Sequence, residues 1–440
     1  MFEDLLLWEG LEDNVNFVFN RCTGRWLIVD DEAKNAIINY DKLSERRGID
    51  ELLEKYKFLE KLEKKRTSGS LLVVFHMTQN CNYKCVYCYA GAGKGASLDI
   101  KNALQMVDVL GTQTKFKKSE IEFHGGEPLL EFEKIKQVIE YAKKYDNIKF
   151  SMQTNGSLLD MEKLEYLTQN KVGIGVSIDG PAMIHDKQRV AHDGAGTFEK
   201  TNNVLNSFED KKRKVGIITV CTTNTIEHKE DYFNFLVGNG IKSFSINPMF
   251  PMRRGSENNQ LVPINEQLLE MTKFMIEKVK SNNKTVKHKI RFRNIDEIIS
   301  KIVNPDYYYR CLESPCGAGR DMVGLGEDGN VYMCEELVGI EKFKIRNNNY
   351  DLDKILENGT KRAADCASRN IKKCQECAFI NYCPGTCLGK RYAQTGSEKE
   401  ASTLCEFYKQ LIKICLLGIY KEGWTNGYLV DESDGQMAGN

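Results

Sequence analysis

Apolar and polar residues alternate in two short runs near the start of the chain, Val15-Asn-Phe-Val-Phe19 and Trp26-Leu-Ile-Val29. They predict a pair of strands around the turn at residues 21–25. Asp30 and Asp31 stand where a helix cap belongs, ahead of Ala33, Ala36, Ile37 and Ile38. Leu52, Leu53, Tyr56, Leu59 and Leu62 recur at helical spacing and predict a second helix from 49 to about 64. A charged stretch at 60–66 and the small residues at 67–70 read as a solvated helix end and a linker. Six β-like runs follow with helical stretches between them, at 71–75, 121–123, 148–152, 172–178, 215–220 and 243–246. That alternation calls for an α/β fold with a parallel sheet. A partial (β/α)6 TIM barrel fits, with functional loops at the strand C-termini; a doubly wound sheet stays open on pattern alone. Residues 252–310 read as a helical, polar bridge, and 421–440 as a mobile tail.

Charge and composition narrow the class. The 440 residues suffice for two or three domains. Sixty-two basic and 62 acidic side chains leave no field to attract nucleic acid or an anionic membrane, so neither is an expected partner. The N-terminal residues are acidic where a signal peptide is basic, and no apolar run approaches membrane-spanning length, which predicts a cytoplasmic protein. Of 15 cysteines, ten lie between positions 311 and 415. In a reducing compartment, metal binding is their expected use.

The chemistry starts with Cys81, Cys85 and Cys88, spaced C-x3-C-x2-C in the loop after the first strand of the β/α run. Zinc takes four ligands, commonly as two close pairs. Three thiolates in one loop suit a cubane iron–sulfur cluster, which keeps one iron open to a small molecule. Gly125-Gly126-Glu127-Pro128 follows the second strand, with a backbone able to approach a ligand and a carboxylate able to accept from an ammonium.

This constellation resembles the radical S-adenosylmethionine (radical SAM) enzymes. The resemblance implies that the open iron holds S-adenosylmethionine (SAM), with Gly125, Gly126 and Glu127 at its amino group. It further implies Gln153 and Asn155, then Ser177 and Asp179, along the ribose and methionine, and Arg189 on the carboxylate. Tyr87 would lie against the adenine, with Ile246 and Asn247 nearby.

The C-terminal cysteines resemble the SPASM extension of the same enzymes: Cys316, Gly329 and Cys334, then Cys374-x2-Cys377-x5-Cys383-x3-Cys387, and Cys405. That likeness implies two auxiliary [4Fe–4S] clusters, three clusters in all. One would use Cys316, Cys334 and Cys387, with Cys311 as the candidate fourth ligand. The other would use Cys374, Cys377, Cys383 and Cys405. If Cys311 does not bind, an open iron could take a substrate thiolate. Cys22, Cys221, Cys366 and Cys415 fall outside every pattern and read as buried free cysteines. Sulfatase maturases carry a catalytic Asp after the cysteine equivalent to Cys334. Here that position is Glu335, the candidate base.

Residues 1–66 resemble the winged-helix peptide-recognition domain of enzymes that modify ribosomal peptides, whose sheet edge can pair with a leader segment. The resemblances together imply a maturase that cross-links a ribosomally made precursor peptide, with a thioether favoured. A carbon–carbon link and a formylglycine-forming sulfatase maturase are the alternatives, and a zinc-ribbon scaffold is the non-enzyme one. Reduced flavodoxin or ferredoxin is the expected electron donor.

Overall fold

The computed structural model describes residues 5–12, 14–60, 69–206, 215–286, 289–304, 306–345 and 349–424. The chain opens with an antiparallel sheet of β1 (Leu5–Glu12), β2 (Val15–Asn20) and β3 (Arg25–Val29), followed by α1 (Asp31–Ile38) and α2 (Arg47–Lys55). The strand β1 has no alternating pattern and escapes sequence reading. The Asp30 side chain caps α1 by accepting from the Ala33 N–H. Helix α2 ends at Lys55, short of the expected 64; Lys57 turns left-handed and Phe58 is buried instead of continuing the helix. The expected linker at 67–70 falls mostly outside the described residues.

This sheet is covered on both faces. Val18, Leu27 and Val29 pack with Ile37, Leu53 and Phe58 from the two helices and the turn after them. Alternate residues face the other way: Phe19 meets Phe379 and Tyr382 edge-on at 5.4 and 6.0 Å, and Phe17 meets Tyr420 at 6.4 Å. The Tyr382 hydroxyl donates to the Gly24 carbonyl at 2.9 Å, and the Trp26 indole to that of Ile302 at 3.1 Å.

All six expected β/α strands form: β4 (Ser70–Thr78), β5 (Lys118–Gly125), β6 (Ile148–Thr154), β7 (Gly173–Ser177), β8 (Val215–Cys221) and β9 (Ser243–Pro248). Between them run α3 (Ile100–Thr112), α4 (Phe132–Ala142), α5 (Met161–Gln169), α6 (Ala182–Gln188), α7 (Phe198–Asn206), α8 (Thr223–Glu227) and α9 (Lys229–Gly238). Each strand pairs in parallel with the one before it. The order never reverses, which is the barrel arrangement and not the doubly wound one.

The bridge contributes more than the pattern foretells. Between α10 (Asn265–Thr285) and α11 (Arg293–Val303), β10 (Arg291–Phe292) pairs parallel to β9. On the opposite side, β11 (Met322–Leu325) pairs in parallel with β4, and β12 (Val331–Tyr332) and β13 (Lys344–Ile345) follow antiparallel. The C-terminal region thus extends the barrel's own sheet to ten strands. It continues through α12 (Leu352–Asp365), α13 (Lys372–Gln375), α14 (Leu388–Thr395) and α15 (Cys405–Glu422). Trp424 is buried against Gly418, so order extends past the expected start of the tail at 421; residues 425–440 lie outside the described ones. No helix among the described residues is long and apolar enough to cross a membrane.

Candidate active site

The loop after β4 brings Cys81, Cys85 and Cys88 to one cavity of about 260 Å³, at the C-terminal ends of the strands. Main-chain bonds clamp it: Cys81 N–H donates to Gly93, Lys84 to Val190 and Val86 to Gln188, at 3.0, 2.7 and 2.9 Å. Two N–H groups point at sulfur, Tyr83 to Cys81 Sγ and Ala92 to Cys88 Sγ, both at 3.4 Å. Burial pushes the Cys81 and Cys85 thiols up to about 12; Cys88 raises both, and Arg189 lowers Cys85. Mutually repelling thiols of this kind ionise readily only when a cation replaces their protons. Among the described residues, no three His, Cys, Asp or Glu side chains converge on a point fit for a single ion. A cubane holds each thiolate on a separate iron and does not require that convergence. The residues fit an iron–sulfur cluster, with N–H groups placed on its ligand sulfurs.

The two glycines serve the loop as much as a ligand. A Cβ on Gly126 would lie 2.1 Å from the Asn80 carbonyl oxygen, and Gly125, at φ +116°, would put one 2.6 Å from that of Thr78. Their absence lets Gly126 N–H donate to Thr78 at 2.7 Å and Glu127 N–H to Asn80 at 2.9 Å, which fastens β5 to the cysteine loop. Both glycines line the cavity. Glu127 does not. It is fully buried, and its carboxylate accepts from Leu129 N–H, the Thr154 hydroxyl and Asn155 N–H at 3.1, 2.7 and 2.8 Å. Its side chain holds the end of β6, while burial raises it to about 7.

Gln153, Asn155, Ser177, Tyr87 and Arg189 all line the cavity. Gln153 donates to the Ser177 hydroxyl at 2.8 Å, and Asn155 Nδ2 to the side-chain Oδ1 of Asn82 at 2.9 Å. Asp179 does not reach the cavity. It accepts from Arg189 Nε and Nη2 at 3.0 and 3.2 Å, from Gln188 at 2.9 Å, from Val220 N–H at 3.0 Å and from the Tyr87 hydroxyl. Burial works against its charge, but Arg189, His185, the Tyr87 hydroxyl and Val220 N–H together outweigh this and keep the carboxyl below its ordinary range. Asp179 is therefore a holder of Arg189 and Tyr87. Ile246 also misses: it is buried, and its N–H is held by Asn294 at 2.8 Å. Strand alternation turns its neighbour Asn247 to the cavity instead.

The cavity has a second wall, of which the sequence signals only Glu335, the candidate base after Cys334. Glu335, Glu336 and Lys390 come from the C-terminal region, Glu122 and His124 from the inward face of β5, and Tyr89 from the cysteine loop. Burial, Glu336 and Glu122 hold the Glu335 carboxyl well above its ordinary value. Burial and Glu120 raise Glu122 to about 7, and burial with His76 lowers His124 to about 3, leaving a neutral imidazole. Glu335 Oε2 and the Tyr89 hydroxyl are buried without hydrogen-bond partners among the described residues. Alternation along β5, Glu122 and His124 against buried Ile121 and Phe123, was the available signal.

The C-terminal cysteines form two groups. Cys374, Cys377, Cys383 and Cys405 line one small cavity, the set expected for one auxiliary cluster. Cys334 is buried within electrostatic reach of Cys387 and Cys316, and Cys387 donates to Glu336 at 3.0 Å. Cys311 is exposed, and interacts electrostatically with Cys316, Glu336, Glu335 and Lys390. Cys221 and Cys415 are buried free thiols; Cys22 is exposed, and Cys366 shares a second small cavity with Cys316.

Residues 75–246 match the profile of the Radical SAM superfamily. A cysteine-type anaerobic sulfatase-maturating enzyme of Clostridium perfringens is 26% identical over 369 residues, covering 78% of this chain and 95% of that one. The solved structure of native anSMEcpe with bound AdoMet superposes with a TM-score of 0.70 at 21% identity, over 80% of this chain and 98% of that one. Streptococcus suis SuiB bound to precursor peptide SuiA superposes with a TM-score of 0.53 at 15% identity, over 92% and 99%.

Proposed function

We propose that this chain, which carries a radical SAM domain, is a maturase that installs an intramolecular cross-link in a ribosomally made precursor peptide, with a thioether favoured. The observation that carries this reading is the shared cavity: Cys81, Cys85 and Cys88 form one end, and Glu335, Glu336 and Lys390 another. A side chain placed there lies between the cysteine loop and a C-terminal wall whose Glu336 accepts from Cys387. The sulfatase-maturating relative and the SuiB complex favour a peptide substrate.

In this reading Cys81, Cys85 and Cys88 hold the SAM-binding [4Fe–4S] cluster. The Gly125–Gly126 backbone, Gln153, Asn155, Ser177, Tyr87 and Arg189 hold SAM, and Asp179 keeps Arg189 and Tyr87 in place. Cluster and SAM together supply one-electron chemistry that removes hydrogen from an unactivated carbon. Glu335, ionised, takes the proton released as the new bond forms, and His124 and Tyr89 orient the peptide side chain. Cys316, Cys334 and Cys387, with Cys311 as the candidate fourth ligand, and Cys374, Cys377, Cys383 and Cys405 would hold two auxiliary clusters, which would supply an acceptor for the surplus electron. The N-terminal sheet takes the leader segment, and a flavodoxin or ferredoxin is the electron donor.

The test is anaerobic reconstitution followed by iron and sulfide analysis, then incubation with SAM, reductant and cysteine-containing precursor peptides sought among the neighbouring reading frames. About twelve irons per chain supports three cubanes. A product lighter by two hydrogens, with one free thiol lost, supports the thioether. The same loss with all thiols intact moves the assignment to a carbon–carbon link, and a cysteine converted to an aldehyde moves it to sulfatase maturation. Cys81→Ala, Cys85→Ala and Cys88→Ala each abolish SAM cleavage; turnover without them would refute the radical assignment.

A further inference from the structure

Among the described residues, Arg391 is the largest fully buried side chain, at 1% exposure. It lies on α14, one turn after Cys387. Among the described residues it forms no ion pair. Nη1 donates to the Gly385 carbonyl at 3.0 Å, and Nη2 to those of Cys366 and Glu398 at 2.8 and 2.7 Å. Nε is buried without a partner. A cation withdrawn from water is strongly disfavoured unless an anion faces it, and carbonyl oxygens bring no net charge. The guanidinium is thus built to stand beside something anionic.

Its surroundings say what that is. The small cavity at the guanidinium is lined by Cys316, Cys366 and Thr386, and Thr386 also lines the cavity of Cys374, Cys377, Cys383 and Cys405. The Thr386 hydroxyl is buried without a partner as well. The guanidinium therefore stands beside both cysteine groups. A hydrogen-bonded path also joins it to the outer group: Nη1 holds the Gly385 carbonyl, and Gly385 N–H faces the Cys383 sulfur.

We propose that Arg391 is the shared counter-charge of the two auxiliary iron–sulfur sites, set between them so that either accepts an electron more readily. The proposal rests on reading those cysteines as cluster ligands. A thiolate-ligated cluster is anionic and gains one further negative charge on reduction. A fixed cation in a low-dielectric interior favours the reduced form and raises the potential. Arg391 touches neither substrate nor SAM; it acts through the clusters.

The test uses the full chain with Cys81, Cys85 and Cys88 replaced by Ala, reconstituted anaerobically, so that only auxiliary sites are loaded. Redox titration followed by electron paramagnetic resonance gives their midpoint potentials. In Arg391→Gln the midpoint shifts to more negative values, and in Arg391→Lys it stays close to that of the parent. An unchanged midpoint in Arg391→Gln at full iron content overturns the proposal, as does a shift in Arg391→Lys as large as in Arg391→Gln. Loss of iron in the Gln variant alone supports a charge requirement; loss in both variants assigns Arg391 a structural role and overturns it. If the parent itself binds no iron, the cluster reading has failed before Arg391 is tested.

Discussion

Glu335 illustrates what a single buried carboxyl can and cannot do. With its folded value held well above the ordinary one, it keeps its proton to higher pH than a solvated carboxyl does, and becomes a base only when ionised. Peptide modification should accordingly accelerate as pH rises through the Glu335 value. Glu335→Gln should lose that slope and fall by roughly 10²- to 10⁴-fold, while SAM cleavage without peptide persists. A Gln variant that keeps the pH slope would transfer the role elsewhere. At this scale the sequence was legible wherever spacing carries the chemistry, as with Cys81, Cys85 and Cys88. It was not legible where side-chain direction decides. Glu127 and Asp179 sit in the right loops but turn into the protein, and Ile246 is one residue out of phase with Asn247.

At the scale of elements, the junction between β5 and the cysteine loop is the tightest local constraint. Gly126→Ala places a methyl group 2.1 Å from the Asn80 carbonyl, so one of the two segments must move. Loss of the Gly126 and Glu127 main-chain bonds should cost about 2 kcal/mol or more. The reconstituted Ala variant should then bind less iron at the first site while holding the C-terminal iron. Full iron content and an unchanged melting temperature would count against the clamp. The six barrel strands were readable because each is an apolar run of strand length between helical stretches. The strand β1 was not, since its run of three leucines and Trp8 fits either period, and β10, a strand of two residues, is too short to carry a pattern.

For the whole molecule, the N-terminal unit is joined to the C-terminal region by aromatic packing and not merely tethered to it. Phe19 is 1% exposed between Phe379 and Tyr382, in the segment that carries Cys377 and Cys383. Phe19→Ala should cost about 3–5 kcal/mol and loosen that segment, lowering C-terminal iron occupancy together with the thermal midpoint. Loss of stability with full iron retention would show that the two units are independent. Removing residues 1–66 is consequently a poor probe of peptide recognition, because it strips the cover from Phe379 and Tyr382. Substitutions along the sheet edge are cleaner. None of this docking is visible in the sequence, since Phe17 and Phe19 look like any inward face of a small sheet until their partners, Tyr420 for one and Phe379 and Tyr382 for the other, fold against them from the far end of the chain.

The strand β4 has neighbours made at very different times. Its partner β5 follows within the same stretch of chain, but β11, on its other side, arrives only when synthesis has reached Met322. Until then one edge of the strand that leads into the cysteine loop has unpaired backbone groups, a natural site for wrong pairing. The same interval leaves that loop without its C-terminal wall and open to solvent. Iron and sulfide should have their widest access to Cys81, Cys85 and Cys88 on the nascent chain, and the closing of β11 onto β4 narrows it to the cavity.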